Sequence, residues 1–235
     1  MEKSTENILT LSREEMHELA RKRVSAISRE FTEGFEFLED YPKSVTFFGA
    51  NQFREDNPYY ESACALASRV VKELGYSIFS GGGPGIMEAA NRGAYEAGGN
   101  SLGLLIKLPE GQVINGYITK SFASYYFFVR KVLLSFSAEA FIFFPGGFGT
   151  LDEFFEILTL VQTKKIAGVP IICVGSEYWS GLRGFMEREI LTRGAIEPLD
   201  LNLFHIVDDH TEIIKIIKKV PVRSGVPLAQ TDSQS

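Results

Sequence analysis

The 235-residue sequence contains little cysteine and little histidine, and each shortage excludes a class of site. The two cysteines, Cys64 and Cys173, lie in separate apolar segments without CxxC or Cys/His spacing, so we expect buried thiols in a reducing compartment. The three histidines show no ligand or triad spacing, and the sequence contains no serine nucleophile elbow. We therefore expect neither a metal nor a cofactor.

The sequence also lacks long apolar runs and an excess of positive charge. No stretch reaches the roughly 18 apolar residues that span a bilayer, and the first 15 residues lack the apolar core of a signal peptide, so a soluble, cytoplasmic protein is expected. Its 24 basic and 30 acidic side chains give a net charge of −6, which disfavours non-specific binding to nucleic acid or to an anionic membrane. The composition, 45% hydrophobic and 23% charged, is that of a globular protein.

Charge is concentrated in an N-terminal arm, residues 1–43, which holds 17 of the 54 charged side chains. Apolar residues at helical spacing predict an amphipathic helix from about Ser12 to near Phe31, with Glu15 as the capping-box partner of Ser12. We expect this helix to pack on its own domain or on a neighbouring subunit, rather than to act as a calmodulin-like or membrane-surface helix.

From Ser44 onward, short apolar runs alternate with segments of helical periodicity. This alternation predicts an α/β fold in which a doubly wound, mainly parallel, Rossmann-like sheet is flanked by helices. The fold is expected over residues 44–220, before a disordered tail at 221–235. The predicted strands are 44–50, 76–82, 101–106, 140–147 and 170–175; the predicted helices are 58–74, 85–98, 126–138, 150–165 and 177–192, and a last strand and helix fall within 203–218.

Two glycine clusters, at 81–85 and 146–149, each follow a predicted strand and precede a predicted helix. Glycines there let several backbone N–H groups approach one ligand, and the following helix adds positive charge, so the clusters predict phosphate-binding loops for a nucleotide or sugar phosphate. The alternative is that they are only tight turns. Neither cluster matches GxGxxG or a P-loop, which disfavours a dinucleotide oxidoreductase or an NTPase.

Glu153 follows the second cluster and has two interpretations. With Thr150 as N-cap, Glu153 falls at the capping-box position, and spacing alone favours this role. If a phosphate occupies the helix N-terminus instead, Glu153 is free to stabilise an oxocarbenium-like transition state or to activate water beside a sugar phosphate.

Arg130 is flanked at helical spacing by apolar and aromatic side chains, so it is either a structural ion-pair partner or an anion clamp. Lys131 has more polar neighbours and is expected to be solvated. Glu88 either complements a helix dipole or holds ribose hydroxyls. Residues 117–155 carry 13 of the 29 aromatic residues, a density typical of a core or a subunit interface that could also wall a pocket for a planar base.

Residues 145–153, read with Arg130-Lys131 upstream and the 81–88 segment, resemble the PGGxGTxxE signature of the Lonely Guy (LOG) family. These cytokinin riboside 5′-monophosphate phosphoribohydrolases are often labelled lysine decarboxylases. The resemblance runs from about residue 44 to 190. It implies hydrolysis of the N-glycosidic bond of a purine nucleoside 5′-monophosphate, either AMP or an N6-substituted, cytokinin-type nucleotide, to free base and ribose 5-phosphate.

The resemblance also implies roles for individual residues. Glu153 is the implied catalytic carboxylate and Arg130 its partner. The implied substrate-binding residues are Gly82, Gly83, Glu88, Lys131, Gly146, Gly147, Gly149 and Thr150. Relatives commonly have Gly-Ser after the first strand, whereas this chain has Gly49-Ala50-Asn51, which removes a hydroxyl group near the ligand.

Two further expectations follow from the resemblance. Similar proteins are homodimers or higher homo-oligomers, so self-association is expected here. A rival function is that of a non-enzymatic carrier of a phosphorylated ligand, as in molybdenum-cofactor carriers, and the presence of both Arg130 and Glu153 favours the enzyme. No pyridoxal-phosphate lysine context supports a decarboxylase.

Overall fold

The structure, a computed structural model, describes residues 12–108, 111–166 and 168–221. Within these ranges, seven strands alternate with helices, except that β3 is followed by β4 without a helix between them. The strands are β1 (Ser44–Phe48), β2 (Ser77–Ser80), β3 (Ser101–Ile106), β4 (Lys120–Ser124), β5 (Ala140–Phe143), β6 (Ile171–Cys173) and β7 (Phe204–Ile206). The α-helices are α1 (Arg13–Glu39), α2 (Pro58–Arg69), α3 (Ile86–Glu96), α4 (Phe127–Phe136), α5 (Phe148–Gln162), α6 (Ser176–Phe185) and α7 (His210–Lys219), with π-helical turns at Val70–Leu74 and Met186–Leu191 and a 3₁₀ turn at Pro198–Asn202.

All seven strands are parallel and lie in the order β4-β3-β2-β1-β5-β6-β7, which confirms the predicted doubly wound α/β fold. The chain builds outward from β1 to β4 and then returns to the centre, where β5 pairs with β1 through Val45 opposite Ala140. From β1 the chain therefore continues to one side of the sheet, toward β4, and from β5 it continues to the other side, toward β7. A crevice opens at the carboxyl ends of these two strands, where doubly wound sheets bind their ligands.

Helices cover both faces of the sheet because the central strands are apolar on both sides. Strands β1 and β5 are buried along their whole length. On one face, α1, α4, α5 and α6 pack over a core that contains Phe143, Phe154 and Trp179. On the other face, α2, α3 and α7 pack over a core that contains Phe47 and Phe144. The helices packed on both faces fix the positions of the strands and therefore of the loops at their carboxyl ends.

The N-terminal helix begins as predicted but ends later. Ser12 accepts a hydrogen bond from the Glu15 backbone, and Glu15 accepts one from the Ser12 backbone, so the predicted capping box is present. The predicted end near Phe31 was wrong, because α1 continues to Glu39. Phe31 and Phe35 pack against the hydrophobic core of the domain, so the C-terminal half of α1 lies on its surface. The described residues before Ile27 are exposed.

Strand β4 was missed by the sequence analysis. It is an edge strand paired only with β3 among the described strands, and its first residues are exposed. A polar sequence suffices there because one face and one edge meet solvent. The predicted tail lies outside the described residues except for Pro221. Within the described ranges, no helix is both long and apolar enough to cross a membrane.

Candidate active site

Three loops meet at the crevice between β1 and β5, and the backbone of Ala50 joins them. The Ala50 N–H donates to the carbonyl oxygen of Pro145 at 3.0 Å, and the Ala50 carbonyl accepts from the Ile86 N–H at 3.0 Å. The loop after β1 is thus tied to both glycine loops. A Cβ atom on Gly85, which has φ +73°, would overlap the Ala50 carbonyl, so only glycine permits this approach.

The second glycine loop passes directly into α5, and the predicted cap at Thr150 was wrong. The helix begins at Phe148 with Gly147 as N-cap, which places Thr150 in its first turn. The side-chain oxygen of Thr150 lies against Gly146, where a Cβ atom would overlap it. The start of α5 has no side-chain cap, so its first backbone N–H groups remain available to a ligand.

Glu153 is therefore not a capping residue. Its side chain is only 8% exposed, and its Oε2 atom has no hydrogen-bond partner among the described residues. Burial raises the pKa of Glu153 to about 7; Lys131 and Arg130 oppose this rise, and Glu156 and Asp152 add to it. A buried carboxylate with one unengaged oxygen is suited to take up a proton near neutral pH.

Arg130 projects from α4 into the same cleft. Its Nε atom donates to the Leu104 carbonyl at 2.8 Å, which fixes the guanidinium group beside Gly81. Burial lowers the pKa of Arg130, and the charge of Glu153 acts in the opposite direction. No carboxylate of the described part of the chain lies within ion-pair distance of Arg130, which argues against the structural ion pair and leaves the guanidinium available to an anion.

Lys131 occupies a different environment from the one expected. Instead of extending into solvent, its side chain is only 19% exposed, and its ammonium group lies 2.6 Å from Asp152, 2.8 Å from Glu156 and 3.7 Å from Glu153. Adjacent residues on a helix point about 100° apart, so Arg130 faces the cleft while Lys131 faces α5. The expectation of a solvated lysine was wrong because its partners lie on a helix distant in sequence.

The cleft at this crevice has a volume of about 420 Å³. Its wall combines glycine backbone, apolar side chains and the side chains of Arg130 and Glu153. It is lined by Phe48, Gly49, Ala50, Asn51, Gln52, Gly81, Met87, Phe127, Arg130, Leu134, Gly147, Phe148, Gly149, Thr150, Asp152 and Glu153. Five predicted site residues therefore share one cleft, namely Arg130, Gly147, Gly149, Thr150 and Glu153.

Other predicted site residues lie around this cleft rather than in its lining. Gly146 lies beneath the wall, where its carbonyl accepts a hydrogen bond from the Tyr178 hydroxyl at 2.7 Å. Glu88 accepts one from the Tyr60 hydroxyl at 3.1 Å and faces a neighbouring depression. Gly82 and Gly83 continue the loop behind Gly81, which itself lines the cleft.

Comparison with known proteins connects this geometry to a family. The sequence matches the family described as "Possible lysine decarboxylase" over residues 87–217, more than half of the chain. The chain belongs to this LOG-type family. A relative from Arabidopsis thaliana, named cytokinin riboside 5′-monophosphate phosphoribohydrolase LOG5, is 25% identical over 194 residues, covering 81% of this chain and 84% of that protein. A protein from Rhodococcoides fascians, named cytokinin riboside 5′-monophosphate phosphoribohydrolase, is 26% identical over 161 residues, covering 67% of this chain and 80% of that protein.

Solved structures show the same fold. The X-ray structure of TM1055 superposes with a TM-score of 0.57 at 22% identity, covering 76% of this chain and 99% of that chain. The molybdenum cofactor carrier protein from Chlamydomonas reinhardtii superposes with a TM-score of 0.55 at 20% identity, covering 75% of this chain and 97% of that chain. At these identities the structures establish architecture, and the site must establish function.

Sequence reasoning missed a buried polar network that holds the first glycine loop of this LOG-type chain. Asn91 is fully buried, and its Oδ1 atom accepts hydrogen bonds from Ser80 Oγ and Asn115 Nδ2, at 2.6 and 2.9 Å. Asn115 Nδ2 also donates to the Gly83 carbonyl, and Ser80 Oγ accepts from the Gly82 N–H. The signal was available, because an asparagine among the apolar positions of α3 must be hydrogen-bonded when buried.

Proposed function

We propose that the protein hydrolyses the N-glycosidic bond of a purine nucleoside 5′-monophosphate, AMP or an N6-substituted nucleotide, to free base and ribose 5-phosphate. The observation that carries this proposal is the position of Glu153 in the first two turns of α5, a helix that has no side-chain cap and begins at the cleft. Its carboxylate is buried, and its Oε2 atom has no hydrogen-bond partner in the part of the chain that the structure describes. An anion-binding helix start and a carboxylate that can accept a proton then lie within one nucleotide-sized site.

The 5′-phosphate is assigned to the start of α5. The backbone N–H groups of the first turn, at Phe148, Gly149 and Thr150, have no intrahelical acceptors, and the helix dipole adds positive charge. Gly147 and Gly149 have open space where a side chain would stand, so a phosphate can approach the backbone closely. A net negative protein can bind a phosphate here because the field is local.

Glu153 is assigned to the reaction at C1′. Cleavage breaks the bond between C1′ and the base nitrogen, water supplies the new C1′ oxygen, and the base departs with a proton. As an anion, Glu153 stabilises positive charge that develops on the sugar, and it can take the proton released by the attacking water. A pKa of about 7 leaves about half of the carboxyl groups ionised at neutral pH, which suits a group that must both bind and release a proton.

Arg130 and the surrounding loops are assigned to placing the nucleotide. The planar guanidinium can bind two oxygens of a phosphate or ribose, and its hydrogen bond to Leu104 holds it in position. Gly82 and Gly83 keep the first loop close to the ligand, with Glu88 at its outer side. Phe127 and Phe148 line the cleft and offer apolar faces to the base.

Incubation of purified protein with AMP, an N6-substituted AMP and the matching nucleosides tests the proposal by chromatography of the products. We expect base and ribose 5-phosphate from the nucleotides, little cleavage of the nucleosides, and loss of at least about 100-fold in turnover in Glu153→Gln. The control is Glu212→Gln, at an exposed position on α7. Equal cleavage of nucleoside and nucleotide, or full turnover in Glu153→Gln, contradicts the proposal, and tight nucleotide binding without cleavage favours the carrier function.

We also propose that the protein self-associates. The N-terminal half of α1 is exposed, including Met16 (47%), Leu19 (50%) and Val24 (65%), and these apolar side chains continue the stripe that packs on the domain through Ile27 and Phe31. Light scattering coupled to size exclusion tests this, and a monomer at micromolar concentration contradicts it.

A further inference from the structure

The contacts of Lys131 differ from those expected of a residue that binds substrate. Its ammonium group donates to Asp152 Oδ2 at 2.6 Å, lies 2.8 Å from Glu156 Oε2, and is 3.7 Å from Glu153 Oε1. An ammonium group has three donor hydrogens, and three carboxylates surround this one. Lys131 does not line the cleft in which Arg130 and Glu153 meet. Its donors are directed at α5 rather than at a ligand.

The three carboxylates form a gradient of exposure along α5. Asp152 is 63% exposed, Glu156 is 27% exposed and Glu153 is 8% exposed. Water screens charge at the outer end of this series and hardly at all at the inner end. The charge on Lys131 is therefore screened least at Glu153, although Asp152 and Glu156 lie closer to it.

The two carboxylate oxygens of Glu153 have different surroundings. Oε1 faces Lys131, whereas Oε2 is buried and has no hydrogen-bond partner among the described residues. Buried polar atoms are almost always paired, so an orphaned carboxylate oxygen beside a cleft indicates a ligand atom or water that completes it. Contact with Lys131 on one side fixes which oxygen is left for that role.

Resting on the function proposed above, we propose that Lys131 is a positioning residue that acts through Glu153: held between Asp152 and Glu156, it orients one oxygen of Glu153 and leaves the other to the ligand. The charged groups that face Glu153 are Arg130 and Lys131 from α4 and Asp152 and Glu156 from its own helix. Lys131 and Arg130 lower the pKa of Glu153, while Glu156 and Asp152 raise it. Lys131 and Glu156 thus act on Glu153 with opposite signs.

This opposition defines the experiment. Lys131→Met removes the cation, Glu156→Gln removes the competing anion, and Lys131→Arg retains the cation. The readouts are the pH midpoint of kcat/KM and the titration of the Glu153 carboxyl carbon by ¹³C NMR, with its signal assigned by its absence in Glu153→Gln. We expect the midpoint to rise by about one pH unit or more in Lys131→Met, to fall in Glu156→Gln, and to stay near the wild-type value in Lys131→Arg.

The kinetic constants separate positioning from substrate binding. A midpoint that rises by one pH unit from 7 lowers turnover about fivefold at pH 7, and most of this loss is recovered at pH 9. KM is expected to change less than about twofold in Lys131→Met, because Lys131 does not line the cleft and its ammonium group lies among carboxylates of α5. A large rise in KM with an unchanged midpoint would overturn the inference and assign Lys131 to substrate binding.

Three further outcomes have a defined meaning. Shifts of the same sign in Lys131→Met and Glu156→Gln overturn the inference, because they indicate a general disturbance of α5. If Lys131→Met does not fold, Lys131→Gln replaces it and is expected to raise the midpoint in the same way. If wild-type protein cleaves no nucleotide, the proposed function fails while the NMR midpoints still test the effect of Lys131 on Glu153.

Discussion

Replacement of Glu153 by glutamine is expected to stabilise the protein above neutral pH while it abolishes activity. Folding raises the pKa of this carboxyl group from its ordinary value of 4.5 to about 7. As the pH rises, the unfolded chain releases its Glu153 proton first, so the free energy of unfolding falls between about pH 4.5 and 7. Each tenfold difference in acid dissociation corresponds to about 1.4 kcal/mol, so ionised Glu153 costs the folded state about 3 kcal/mol above pH 7. The side chain is 8% exposed, so solvent screening reduces this value little.

Glutamine has the shape of the protonated carboxyl group and cannot ionise. At pH 8, Glu153→Gln is expected to be more stable than wild type by about 3 kcal/mol, which is a rise in Tm of about 6–12 °C for a chain of this size. Near pH 4.5 the two proteins are expected to have similar stability. Calorimetry at both pH values checks this, with Glu212→Gln as an exposed control. A difference in Tm that is the same at both pH values would refute the reasoning, because it would show that Glu153 is not destabilised by its charge.

Three other substitutions test the architecture of the site. Arg130→Lys keeps the charge and loses the planar fork, and is expected to lower kcat/KM by about 100-fold or more with nucleotide as substrate; near wild-type kinetics would contradict its role. Gly85→Ala is expected to unfold at a clearly lower denaturant concentration than the control Gly98→Ala. Both glycines have positive φ, but only Gly85 abuts the Ala50 carbonyl, so Gly98→Ala should lower the free energy of unfolding by only about 1–2 kcal/mol. Equal unfolding midpoints of the two variants would show that the close approach of Gly85 to Ala50 is unimportant. Asn91→Leu is expected to lower the free energy of unfolding by about 2–4 kcal/mol and to raise KM, because it leaves the buried side chains of Ser80 and Asn115 without their shared partner. Denaturant unfolding measures the stability and steady-state kinetics measure KM. A variant with wild-type stability and unchanged KM would argue against a role for this network.

Prediction from the sequence was most successful for the buried strands, whose burial requires a continuous run of apolar residues. The strands of the sheet centre are continuous apolar runs, since both faces are covered, and the glycine clusters follow them directly. The fold class and the crevice could therefore be predicted, whereas the local pattern left two roles open for both Arg130 and Glu153, and only the family resemblance placed them together in a site. Strand β4 escaped because an edge strand with exposed polar residues carries no such run.

Other errors arose where one local pattern fits two structures. The spacing of Thr150 and Glu153 satisfies a capping box, yet α5 begins at Phe148 because Pro145 and Gly146 are held by Ala50 and Tyr178 from other elements. Spacing within one segment cannot report on such contacts.

The sequence by itself determined the order of elements, the glycine loops and the chemical groups available to the site, because these depend on residues near one another in the chain. Tertiary structure decided which groups meet and in what state. Lys131 and its carboxylate partners lie on different helices, and the pKa of Glu153 depends on burial that only packing creates. Desolvation and charge pairing depend on distance in space, so the protonation state of Glu153 is set by the packing of α4 against α5.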